Sequence, residues 1–145
     1  MKKTLVVIFC LALNVFKSQV SSADQILGDW ISPEKDLIVR CCKENNLYYS
    51  KIVWFKRYYD DAPDTPNAVS ENKWLNTVIM NSFSYANNEW ADGEIYNLKN
   101  GKKYAAYIKL NNVNQLKVVG YVIFRMFSES IIFTRYVSSK LPYFE

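Results

Sequence analysis

Two stretches toward the C-terminal end of the chain alternate apolar and polar residues with a period of two, and this alternation restricts the fold more than any other feature. In Lys102–Leu110, Tyr104, Ala106, Ile108 and Leu110 share one face of an extended strand, against Lys103, Ala105, Tyr107 and Lys109 on the other. In Gln115–Phe124, Leu116, Val118, Gly120, Val122 and Phe124 oppose Gln115, Lys117, Val119, Tyr121 and Ile123. A sheet made of such strands buries one face and leaves the other in water.

Other runs rich in β-branched and aromatic residues predict further strands at Gly28–Ile31, Asp36–Cys42, Tyr48–Phe55, Thr77–Phe83, Trp90–Tyr96 and Ser130–Tyr136. That gives eight in all. Asn45-Asn46, Asn100-Gly101 and Asn111-Asn112 supply residues that tolerate left-handed backbone, so these connections are tight and the strands they join are antiparallel. Eight antiparallel strands without covering helices would expose two sheet edges, and closure into a barrel removes both. The expectation is an all-β, eight-stranded, up-and-down barrel. The stretch Tyr58–Lys73 carries Asp60, Asp61, Pro63, Asp64 and Pro66 without apolar periodicity and reads as a long loop at the mouth of that barrel.

The N-terminus carries a different signal. Lys2-Lys3, the apolar run Leu5–Phe16 and a small-residue stretch ending at Ala23 have the layout of a secretory signal peptide. The expectation is a leader over residues 1–23, a single domain over residues 24–145, and a secreted or periplasmic protein. Phe9 before Cys10 in mid-run argues against lipidation. Removing the leader takes Lys2, Lys3 and Lys17 and leaves 15 basic residues against 14 acidic ones. A nearly neutral chain lacks the basic stripe that phosphate neutralisation requires, so nucleic acid is not an expected partner. No later apolar run approaches the roughly 20 residues of a bilayer-spanning helix, and no transmembrane segment is expected. The chain has no histidine, which excludes Ser-His-Asp and Cys-His nucleophilic sites and His-bearing zinc sites. The expectation is a non-catalytic protein without cofactor or metal.

Gly28-Asp29-Trp30 matches the Gly-x-Trp opening of lipocalin-like barrels. It is followed in order by Lys51-Ile52-Val53-Trp54, Trp90-x-x-Gly93-x-Ile95-Tyr96, Asn100-Gly101-Lys102-x-Tyr104, Leu116-Lys117-Val118-x-Gly120-Tyr121 and Thr134-Arg135. In these motifs the chain resembles the bacterial domain of unknown function 2147 family. The resemblance implies an exported, lipocalin-like barrel with no established activity, in which Arg135 stacks over the Trp30 indole as a structural plug. The chain departs from the family pattern at Thr65-Pro66-Asn67, Glu71, Thr77, Ser128-Glu129-Ser130 and Phe133.

An eight-stranded barrel is either filled by its own side chains or holds one small ligand. Counting alternation along the strands, Tyr48, Trp54, Tyr104, Phe124 and Tyr136 point inward, and their rings suit a small apolar or amphipathic ligand. The alternative is an envelope or extracellular protein-interaction module with a filled barrel, using the loop 58–73 and an outer face bearing Tyr49, Phe55, Tyr107 and Tyr121. Adjacent Cys41 and Cys42 point to opposite faces, which disfavours a bond between them. Asp60, Asp61 and Asp64 lack calcium-loop spacing. Glu89, Asp92 and Glu94 resemble a glycosidase pair only in residue type. Lys51 alternates outward.

Overall fold

The protein is described by a computed structural model at residues 21–56, 74–122, 125 and 128–137. A short 3-10 helix (Ser22–Ile26) precedes eight strands: β1 (Gly28–Ile31), β2 (Leu37–Glu44), β3 (Leu47–Phe55), β4 (Val78–Ala86), β5 (Glu89–Asn97), β6 (Lys102–Asn112), β7 (Gln115–Tyr121) and β8 (Ser128–Tyr136). Each strand pairs antiparallel with the next, and β8 pairs with β1, closing an up-and-down barrel.

Asparagine makes the tight turns at one end. Asn45 and Asn46 (φ 50° and 62°) join β2 to β3, and Asn87 and Asn88 (φ 52° and 59°) join β4 to β5. Two-residue loops with both residues left-handed match the twist of the flanking strands. The β6–β7 turn and the 3-10 helix lie at this same end, which we call the closed end. The other four connections emerge at the opposite end, the mouth. There Gly101 (φ 69°) donates its N–H to the Asn97 carbonyl at 2.8 Å.

The inward residues form one cluster. Trp30, Ile52, Phe83, Trp90, Ile108 and Leu116 are all at most 2% exposed, each burial contributing roughly 1.5–3 kcal/mol. Phe83 lies flat against Gly93 on the neighbouring strand: a Cβ at Gly93 would stand 2.5 Å from the Phe83 ring. Glycine is needed there because the ring occupies the space that any side chain would take.

One irregularity alters the reading of the faces. Between β2 and β3 the register shifts, with Val39 opposite Ile52 but Ile38 opposite Trp54, so Val53 is an extra residue. A bulge of this kind breaks simple alternation. Beyond it Phe55, paired with Leu37, packs against the core. Trp54 shares the outer face with Ile38, whose other partner, Ile31, follows inward Trp30. Straight counting assigns Trp54 inward and Phe55 outward, and the bulge reverses both. Tyr136 is also on the outer wall: it pairs with Asp29, which Arg40 grips there through two hydrogen bonds of 2.7 and 2.9 Å. Expecting it inward missed that Arg135, one residue earlier, takes the inward position opposite Trp30.

Candidate functional site

The two ends of the barrel differ in what the inward side chains meet. At the closed end the 3-10 helix crosses the opening and is held residue by residue. A helix this short leaves most of its carbonyls without internal partners, and barrel side chains supply the missing donors. Trp90 Nε1 donates to the Ala23 carbonyl at 3.1 Å, and Trp30 Nε1 to that of Ile26 at 2.8 Å. Arg135 donates through Nη2 to the Gln25 carbonyl (2.7 Å), through Nη1 to that of Leu27 (3.1 Å) and through Nε to that of Val113 (2.7 Å). Its guanidinium carbon sits 4.1 Å from the centre of the Trp30 ring.

The remaining residue of this run, Asp24, is held through its side chain. One carboxylate oxygen accepts from the Tyr48 hydroxyl at 2.6 Å and from Lys43 Nζ at 2.9 Å. The Tyr48 hydrogen bond and then Lys43 hold the Asp24 carboxyl below its usual pKa. Burial, reinforced by Asp24, pushes the Tyr48 phenol up. Tyr48 also meets Trp90 edge-on, with ring centres 6.3 Å apart at 79°. Five consecutive residues, Ala23 to Leu27, are thus each bonded to a side chain of the barrel.

Toward the mouth several inward side chains meet solvent, although Met80, in register with Ile95, stays buried. Ile131 pairs with Val118, which is 4% exposed and part of the core, yet Ile131 itself is 49% exposed. Strand β1 ends at Ile31, opposite Thr134, so β8 runs on toward the mouth beyond its pairing with β1. Ile95 and Tyr104 face each other in register and are half-buried, as are Leu37 and Phe55. The Tyr104 hydroxyl accepts from Asn100 Nδ2 at 2.8 Å.

Of the five residues that alternation assigned to the lumen, Tyr104 therefore lines the mouth. Tyr48 points inward at the closed end and is engaged by Asp24. Trp54 and Tyr136 lie on the outer wall, and Phe124 falls outside the described residues, as does the loop 58–73 with Asp60, Asp61 and Asp64. Ile131, Ile95, Leu37 and Phe55 were missed as lining. For Ile131 a signal existed, since residues 131 and 133 share one face with Arg135, which the family resemblance turns toward Trp30.

The outer wall is knit by charges and rings. Arg125 lies 4.2 Å over the Tyr107 ring and bonds Glu89 at 2.7 Å, and Lys109 approaches the same carboxylate at 3.3 Å. Tyr121 sits 6.3 Å from Tyr107. Arg125 first among these groups holds the Glu89 carboxyl below its usual pKa, the reverse of what a glycosidase acid needs. Glu94 pairs with Lys103 at 2.7 Å. A depression of about 440 Å³ on this wall is lined by Ser82, Asp92, Glu94 and Lys103 among others. Lys51 pairs in register with outward Arg40. Cys41 is buried, its thiol pushed far up by desolvation, while Cys42 reaches the surface; both are free thiols. Among the described residues no three of His, Cys, Asp or Glu gather to hold a metal ion, and no helix is long and apolar enough to cross a membrane.

A family model described as an uncharacterized protein conserved in bacteria, DUF2147, matches residues 28–135. A solved structure titled "Protein HP1028 from the human pathogen Helicobacter pylori belongs to the lipocalin family" is similar in fold. It has a TM-score of 0.58 and 16% sequence identity, over 79% of this chain and 84% of that one. No curated protein matches this chain.

Proposed function

This chain belongs to the DUF2147 family, and on that premise we propose that it is an exported, non-catalytic barrel that receives a small apolar or amphipathic molecule at its mouth. The observation that carries the reading is the gradient of exposure along one inward face. Trp30, Trp90 and Leu116 toward the closed end are fully buried, whereas Ile131, on the same face as buried Val118, is half open to water. An apolar side chain that points into a barrel and is still hydrated gains by being covered, at roughly 25 cal/mol per Å² removed from water. Trp30, Trp90 and Phe83 fill the lower lumen, so the occupant sits high and shallow, against Ile131, Ile95, Tyr104, Leu37 and Phe55. The Tyr104 hydroxyl gives it one polar contact. Export is supported by the leader-like N-terminus, and the non-catalytic reading by the lack of any histidine.

The test is displacement of an environment-sensitive hydrophobic dye from the purified protein by fatty acids and long-chain alcohols. Saturable binding is expected, weakened roughly tenfold or more by Ile131→Glu, which places a charge in the apolar lining. No saturable binding by any probe, or binding indifferent to Ile131→Glu, overturns the reading. A barrel that engages a protein through its outer wall would then account better for the fold.

A further inference from the structure

The 3-10 helix at the closed end bears on where the leader is removed, an inference that rests on the reading of residues 1–23 as a cleavable signal. Sequence alone favours the bond after Ala23, with small Ser21 and Ala23 at the third and first positions before the cut. That product lacks a residue the fold uses. The Ala23 carbonyl accepts the Trp90 indole N–H at 3.1 Å, Ala23 packs against the core, and Trp90 is only 2% exposed. Without that carbonyl a buried donor loses its partner.

We propose that the leader is cleaved at the Ser22–Ala23 bond, so that the mature protein begins at Ala23. Water adds across this amide in the active site of a leader peptidase, leaving a carboxylate on Ser22 and an α-ammonium on Ala23. Val20 and Ser22 then occupy the third and first positions before the cut, both compact. A cut after Ser21 would place long, polar Gln19 at the third position, and a cut after Val20 would place a β-branched residue at the first. Cleavage after Ser22 meets the peptidase's preference for small residues and keeps the buried Trp90 acceptor; what it gives up is the Asp24 N–H bond to the carbonyl of exposed Ser21 (2.9 Å), a donor that the solvent at the chain end can satisfy. The new ammonium lies one residue before Asp24, whose carboxylate already engages Lys43 and Tyr48.

Two measurements test this. The full chain is expressed in a bacterium that exports it, and the N-terminus of the recovered protein is read by intact mass and sequencing. A chain starting at Ala23 is the expected result. A start at Asp24 or beyond overturns the proposal, and a chain that keeps its leader overturns the leader reading along with it. Separately, chains starting at Ala23 and at Asp24 are released from a fusion with native ends. The Ala23 chain is expected to melt higher, by roughly 2–6 °C, and equal melting of the two overturns the structural argument. Replacing Trp90 by Phe in both chains should narrow the difference to what the packing of Ala23 contributes, because the acceptor then has no donor to serve; an undiminished difference overturns the role given to the Trp90 bond.

Discussion

Arg135 and Trp30 face each other in register across the seam that closes the barrel, with the guanidinium 4.1 Å from the indole centre. The same guanidinium bonds three backbone carbonyls, two belonging to Gln25 and Leu27 and one to the β6–β7 turn. First strand, last strand and the residues at the closed end therefore meet at one side chain. Burial lowers the pKa of Arg135, and the carbonyl oxygens and the ring face offset that penalty.

Trp30→Ala should destabilise the protein by roughly 3–5 kcal/mol, read by denaturant unfolding, because it empties a fully buried site and removes the surface on which Arg135 rests. Arg135→Lys keeps the charge but loses the planar fork, and a loss of about 1–3 kcal/mol is expected. An unchanged unfolding midpoint in either variant would refute the structural role.

Gly93→Ala should cost about 1–3 kcal/mol, since the new methyl meets the Phe83 ring. In a Phe83→Leu background the same substitution should cost less. A double-mutant cycle that comes out additive would show that the ring is not the obstacle.

Asp24 governs an acid-sensitive contribution. Its folded-state pKa lies below the usual value because of Tyr48 first and Lys43 second, so the stabilisation is complete above about pH 4, the unfolded carboxyl value. It is lost as the pH falls through the folded pKa. Melting temperature followed from neutral to pH 3 should drop less in Asp24→Asn than in the unaltered protein. Parallel curves would remove Asp24 as a source of acid sensitivity. Glu89, held down by Arg125 and Lys109, acts in the same direction and remains in both proteins.

Alkylation should separate the two cysteines of residues 24–145. Cys42 is partly exposed, whereas Cys41 is buried with its thiol held neutral. Since the thiolate is the reacting species, one adduct at Cys42 is expected on the folded protein and a second at Cys41 only after unfolding. Equal labelling under native conditions would contradict the inward placement of Cys41.

Strand positions were legible in the sequence because they depend on local chemistry. Lys102–Leu110 extends to Asn112, and Asn45-Asn46 makes the turn that its tolerance of left-handed backbone implies. Facing was legible only where pairing stays regular. Ala106 and Ile108 point inward as alternation requires, but Trp54 and Phe55 exchange faces because one extra residue in β3 shifts the count. A bulge arises from how two strands meet across the barrel, and no single strand encodes it.

The apolar period and the asparagine turns determined by themselves that this chain forms antiparallel strands, and the exposed edges such a sheet would leave argued for closing them into a ring. Those features act between residues close in sequence or through a pattern repeated in each strand. Tertiary structure alone decided that Ala23 to Leu27 cap one end, that Tyr48 serves this cap, and that Ile131 is left hydrated at the other. Each of these depends on side chains from distant strands converging in space, and on β1 being too short to flank β8 along its whole length.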